Sequence, residues 1–219
     1  RRQRQMCIRD RVDIDETIID TNLRKQAVFR LLLKKDVSIS EITEKGSWDI
    51  IKSYLGDQYC HEIWIRFWKI ILCIESAGLN FLHLDRPIPR APQILSEWAK
   101  KYAIVYLTNR TENMRNLTIK ELRELGFPVK NSNLFMAKSF EEVIESPVES
   151  RKEVFSHIIE KYNVIAVIDD YPRFFSIYKS FRIPERIGLL KFPRFQEEDY
   201  IKRGANLVVK GWEDLTNKF

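Results

Sequence analysis

Two aspartates at i and i+2, Asp13 and Asp15, stand in "VDIDETIID", which reads as a strand end followed by a loop. At the end of a strand that spacing points both carboxylates to the same side. Such a pair can divide its work, one group attacking or holding a cation while the other carries a proton. A second acidic pair, Asp169-Asp170, directly follows the unbroken apolar run "VIAVI". Between the two pairs, "AIVYL" runs into Thr108, Asn109 and Arg110, and Lys152 lies near the start of "RKEVFSHIIEKY". Three carboxylates gathered at one place would repel strongly, and a bound divalent cation is the natural compensation. Oxygen donors without soft ligands point to Mg²⁺.

The elements that must deliver these groups can be read from the pattern. "AIVYL" (103–107) and "VIAVI" (164–168) are apolar throughout, as strands buried on both faces are. "NLFMA", "IGLLKF" and "NLVVKGW" are shorter strand candidates. "QILSEWAKKY", "ENMRNLTIKELREL", "RKEVFSHIIEKY" and "PRFFSIYKSF" carry helical spacing, the second closed by Gly126 and Pro128. Strand–helix alternation predicts an α/β, Rossmann-like parallel sheet with helices on both faces and its site at the carboxyl ends of the strands.

One block interrupts the alternation. From Asn22 to about Gly78 the pattern is helical, with Gly78 read as a C-cap, and Pro87, Pro89 and Pro92 mark a return linker. Residues 21–90 are therefore read as an inserted α-helical cap, and 12–20 with 91–219 as the α/β core. Within the cap Trp64, Phe67, Trp68, Ile71 and Leu72 form one stripe, which either lines a pocket or is the cap's own core. Ser150-Arg151-Lys152-Glu153 reads as a capping box, leaving two cations in a first helical turn where the dipole disfavours them. That broken local rule marks Lys152 as functional.

The chain of 219 residues carries a formal charge of +6 and a pI near 9.2, which invites a nucleic-acid partner. The excess is local. Residues 1–11 hold five arginines and one aspartate, and without them 32 basic residues stand against 30 acidic ones. Arg1–Asp10 also matches, without a mismatch, the translation of a transposon adapter used in sequencing libraries. Residues 1–11 are thus expected to be a non-native, adapter-derived segment, to be set aside in fold reasoning. Burying Arg9 to Arg11 in a central strand would cost several kcal/mol unless each charge were paired, about what buried ions cost in general. Cys60 and Cys73 are the cysteines left, in no metal-ligand spacing, so a reducing, cytoplasmic setting is the default. No apolar run is long enough to span a membrane.

The order D-x-D-x-T, strand-Thr, Lys, strand-Asp-Asp resembles the haloacid dehalogenase-like phosphohydrolase superfamily over roughly 12–190. The resemblance implies roles. Asp13 would be the nucleophile that becomes an aspartyl-phosphate, and Asp15 the acid and base. Thr108, Asn109 and Lys152 would bind the phosphoryl oxygens. Asp13, Asp15 (by its backbone carbonyl), Asp169 and Asp170 would hold Mg²⁺. It implies a phosphatase of a small phosphorylated metabolite or nucleotide. "YLTNRTENMRNLTIKELRELGFP" also resembles the nucleotidase and polynucleotide 3′-phosphatase branches, although the corrected charge disfavours a nucleic-acid substrate. A catalytically silent phosphate-binding module is the alternative from outside the enzyme class. Other readings stay open residue by residue: Asp13 and Asp15 as helix-capping turn carboxylates, and Thr108 as a plain N-cap. Lys138 competes with Lys152 as the phosphate-binding lysine, Asp170 is a ligand, a hydrogen-bond acceptor behind the ligands or a helix cap, and Arg110 is a substrate contact or a solvated surface residue.

Overall fold

The computed structural model describes residues 7–73 and 81–216, with side chains from Arg11 onward. Strand β1 (Cys7–Asp13) leads into a two-residue strand β2 (Ile19–Asp20) and helices α1 (Asn22–Leu33), α2 (Ile39–Glu44), α3 (Ser47–Leu55) and α4 (Asp57–Leu72), and β3 (Arg86–Pro87) brings the chain back. Then follow α5 (Ala91–Trp98), β4 (Ala103–Thr111), α6 (Arg115–Glu124), β5 (Leu134–Ala137), α7 (Phe140–Glu145), α8 (Pro147–Lys161), β6 (Asn163–Asp169), α9 (Phe175–Ser180), β7 (Glu185–Leu189), α10 (Glu197–Arg203) and β8 (Leu207–Val209). Gly78, read above as a C-cap, lies outside the described residues.

Six strands form one parallel sheet in the order β5-β4-β1-β6-β7-β8. Counting only these six, this is the doubly wound order 3-2-1-4-5-6. The direction of winding reverses between β1 and β6, where such sheets open a crevice at their carboxyl ends. Val12 pairs with Ile168, so Asp13 and Asp169 emerge side by side at that crevice. Val12, Ile104, Tyr106 and Ile168 face a core completed by Leu95, Trp98, Leu122 and Trp212. Val105, Leu107, Val164 and Val167 face the other, with Phe155, Ile158, Phe175 and Tyr178. Fully apolar strands are thus covered on both faces, as their sequence demands.

The helical segment α1–α4 leaves and rejoins the sheet through the antiparallel pair β2–β3, closed by the Ile88 amide donating to the Ile18 carbonyl at 2.8 Å. It has its own apolar cluster around Val28, Phe29, Ile51 and Phe67, which extends onto Phe140 and Val143 of α7. Among the described residues no helix is long and apolar enough to cross a membrane.

Two features depart from the sequence reading. Helix α8 begins at Pro147, at its N1 position after Ser146, and not at Ser150. Proline suits N1 because its missing N–H has no intrahelical partner there and its φ is already helical. Arg151 and Lys152 therefore lie beyond the first turn, Ser150 caps nothing, and Arg151 turns inward. The short helices α7 and α10 were not anticipated, though "SFEE" carries a cap: Ser139 Oγ accepts the Glu142 amide.

Arg11 occupies a core position. It is paired with Val105 on one side and Val167 on the other, so it shares their buried face. Its side chain is fully buried, with the guanidinium 4.7 Å from the Tyr178 ring centre and 5.7 Å from that of Phe155. Nη1 lies 3.4 Å from Asp169, while Nε and Nη2 find no hydrogen-bond partner. An incompletely paired buried charge is a net cost, and Asp169 keeps Arg151 and the Tyr178 hydroxyl at 2.6 Å each when the long Arg11 contact is lost. Arg11→Met is therefore expected to raise stability by about 1–3 kcal/mol in urea denaturation, and a lowered midpoint would count against this reading.

Candidate active site

The loop after β1 is shaped by its backbone before any side chain acts. The amides of Thr17, Ile18 and Ile19 all point at the Ile14 carbonyl, and Glu16 sits in the left-handed region at φ 65°. For a residue with a side chain that conformation is strained. Glu16 is nonetheless buried, binding the Thr21 hydroxyl, Lys25 Nζ at 2.6 Å and Lys191 Nζ at 2.6 Å. The Thr17 hydroxyl donates to Asp170 Oδ1 at 2.9 Å and accepts the Asp170 amide at 3.1 Å. Trp212 Nε1 donates to the Thr17 carbonyl at 2.7 Å, pinning the loop from the far end of the chain.

These restraints bring the acidic groups together. One carboxylate oxygen from each of Asp13, Asp169 and Asp170 lies within 4.8 Å of the other two, and all three residues are buried. Arg151 Nη2 donates to Asp13 Oδ1 and to Asp169 Oδ2, both at 2.6 Å, and its Nη1 donates to Asn109 Oδ1 at 3.1 Å. Asp169 also accepts the Tyr178 hydroxyl at 2.6 Å and the Tyr171 amide at 3.0 Å. Burial and the Asp169 charge outweigh Arg151 and push Asp13 up to about 7 from an ordinary 3.8. Burial, followed by the charges of Asp13 and Asp169, raises Asp170. Burial also opposes ionisation of Asp169, but Arg151, Arg11 and Tyr178 more than offset it and hold that carboxyl low. Three crowded carboxylates, with no nitrogen or sulfur ligand among the described residues, form a donor set that fits a hard divalent cation.

Asp15 is turned elsewhere. Its carboxylate takes Arg110 Nη2 and Arg24 Nη2 at 2.7 Å each, Arg110 Nε at 3.0 Å and the Thr108 hydroxyl at 3.3 Å. Both arginines are fully buried, and Arg110 is itself paired with Glu121 and Asp85. Burial disfavours the Asp15 charge, yet Arg110 and Arg24 override it and hold the carboxyl far below the usual range.

The chain has the fold of haloacid dehalogenase-like hydrolases. It is similar to a haloacid dehalogenase-like family hydrolase from Streptococcus pneumoniae (12% identity, 97% of this chain and 98% of that one, TM-score 0.66). A HAD family hydrolase from Deinococcus radiodurans, with bound phosphate and sodium, matches at 13% identity over 96% and 94% of the two chains, TM-score 0.61. A protein described as a predicted phosphatase, from Clostridium acetobutylicum, matches at 14% over 97% and 98%, TM-score 0.62. No protein-family model and no curated protein sequence matches the chain.

The sequence-read residues are thus largely, but not wholly, gathered. Asp13, Asp15, Thr108, Asn109 and Asp170 line one cavity of about 440 Å³, with Asp169 directly behind Asp13. The Asp15 carboxylate is not part of the carboxylate trio. Lys152 is exposed on α8 and does not reach the cavity, because the helix starts at Pro147. Lys138 is also exposed, paired with Glu153. Arg151 holds the cationic position instead. Arg110 is a buried clamp on Asp15 and not a surface residue. Sequence reasoning missed Arg24, Arg151 and Tyr178. For Arg151 a signal existed, since Pro147 after Ser146 is a helix start that moves the next residues one face round.

The Asp13 shift has a consequence for pH. Its folded-state affinity for a proton exceeds that of the unfolded chain, so in the metal-free protein its contribution to stability is complete below pH 3.8 and lost as pH rises through about 7. A divalent cation favours the ionised form and reverses the trend. Addition of Mg²⁺ is therefore expected to raise the thermal midpoint more at pH 8 than at pH 5, and equal increments at both would contradict the carboxylate trio as the ion's site.

Proposed function

We propose that this chain is a Mg²⁺-dependent phosphatase of a small phosphomonoester, acting through an aspartyl-phosphate on Asp13. The observation that carries the reading is the gathering of Asp13, Asp169 and Asp170 at the point where the sheet's winding reverses, with Arg151 and Thr108 alongside. Asp13, Asp169 and Asp170 would hold the ion, which when bound would neutralise phosphoryl charge and favour ionised Asp13.

The protein groups then have separable tasks. An Asp13 oxygen attacks phosphorus as the bond to the leaving oxygen breaks, and water later attacks phosphorus to free phosphate and the carboxylate. Thr108, Asn109 and the Arg151 guanidinium are the donors nearest the trio suited to the phosphoryl oxygens. Tyr178 and the Tyr171 amide orient Asp169 from behind. Asp15, kept ionised by Arg24 and Arg110, is in the state that accepts a proton from the attacking water. Donating a proton to the leaving oxygen in the first half requires that clamp to loosen. Arg24 is the partner that can withdraw, since it belongs to α1 of the inserted helices and Arg110 to the sheet.

That inserted block is read as a cap that closes over the cavity and excludes water. Asp13→Asn is expected to lower phosphate release by about four orders of magnitude, the scale of losing a covalent nucleophile. In the same assay Arg151→Ala should cost about 10²- to 10³-fold, as loss of a charge-stabilising donor does, and Lys152→Ala should stay within about twofold of the parent. Full activity in Asp13→Asn would remove the proposed nucleophile, and a larger loss at Lys152 than at Arg151 would restore the lysine.

A further inference from the structure

The cavity is far larger than a phosphoryl group, and its other wall is built from a different chemistry. The carboxylates, Thr108 and Asn109 come from strand ends, whereas Trp48, Trp64 and Trp68 come from α3 and α4 of the inserted helices and line the same space. On α4 the apolar stripe divides. Cys60, Phe67 and Ile71 turn into the helical core, with Phe67 stacked on Phe29 at 4.4 Å between ring centres. Trp64 and Trp68, one turn apart, pack against that core, Trp68 edge-on to Phe67 at 5.3 Å between ring centres, yet stay partly exposed and line the cavity.

Core packing does not account for the remaining indole. Trp48 is 39% exposed, although the cluster of Val28, Phe29, Ile51 and Phe67 beside it is closed. Its ring meets Trp64 edge-on, 5.9 Å between centres at 75°. Trp64 in turn is fixed by donating Nε1 to Ser47 Oγ at 3.1 Å, so its hydrogen-bonding edge is spent, and His61 stacks beside it at 6.4 Å between ring centres, which leaves part of the ring towards the cavity. Indole faces attract flat, polarisable rings, and such ring pairs gain beyond the area they bury.

We propose that Trp48, Trp64 and Trp68 are the specificity wall of this site and that the organic part of its substrate is a planar aromatic or heteroaromatic ring. The inference rests on the phosphatase reading for the position of the phosphate, but it concerns binding and is tested without turnover. Pairs of ligands that share the phosphate and sugar and differ in the ring isolate the effect: adenosine and uridine 5′-monophosphate against ribose 5-phosphate, with phenyl phosphate as a ring without a sugar.

Titration calorimetry of these four compounds into the full-length Asp13→Asn protein with Mg²⁺ reads affinity directly. At least one nucleotide is expected to bind about tenfold or more tightly than ribose 5-phosphate, the scale of a ring stack. That preference should collapse in Trp48→Ala and survive in Trp48→Phe, which keeps a ring. Equal affinity for all four compounds, or a preference that Trp48→Ala leaves intact, overturns the proposal. Ring-selective binding in a protein whose parent releases no phosphate from any of them would support the wall while removing the phosphatase reading.

Discussion

Everything at the functional end of this molecule follows from crowding like charges where they cannot be solvated. Asp13 and Asp169 leave adjacent strands side by side, and Asp170 is held against them by Thr17. Burial and mutual repulsion would drive protons onto them, and the fold answers with guanidiniums: Arg151 bridges the first two. A buried charge is tolerable only when its partners are good, so the surrounding loop, helix starts and tyrosines are organised around the orientation of a few oxygens. Tyr200 illustrates how far this reaches. Its hydroxyl donates to the Asp170 carbonyl at 2.6 Å, and its ring lies over Gly188, where a Cβ would come within 2.5 Å of it.

Two ionic centres result, and they behave differently. The trio is rich in carboxylate and short of cation, which raises Asp13 and Asp170. The Asp15 centre has two buried arginines on one carboxylate and is driven the other way. Groups two residues apart in the chain are thereby shifted in opposite directions, Asp13 towards its protonated form and Asp15 towards its ionised one.

The link between the centres and the inserted helices is structural. Glu16, in its strained conformation, ties the motif loop to the entry strand through Thr21, to α1 through Lys25 and to the loop after β7 through Lys191. Arg24 reaches from the same helix to Asp15, and Arg194 reaches from the sheet side to the Lys45 carbonyl at 2.9 Å. Helix α1, whose Phe29 stacks on Phe67 of α4, is therefore coupled to the carboxylate rim by charge pairs that a change in its position would alter.

Much of this was legible in the residues alone. Unbroken apolar runs such as "AIVYL" and "VIAVI" can be satisfied only in a sheet covered on both faces, and alternation with helices makes that sheet parallel. Polar groups at the ends of such runs must then meet at one rim, which is why Asp13, Asp15, Thr108, Asn109 and Asp169-Asp170 could be named. The unsuitability of Arg11 for a central strand was equally visible, because burial of charge is costly whatever the partner. What the chain order could not supply was the start of helix α8, set by a proline three residues before the expected one, and with it the inward turn of Arg151 where Lys152 faces solvent. Nor could it reveal that Arg24 and Arg110 converge on Asp15, or that Trp64 and Trp68 line the cavity while Phe67 is fully buried. Those outcomes depend on which face of one element meets another, and a one-residue step around a helix turns a side chain by about 100°, from water into the site.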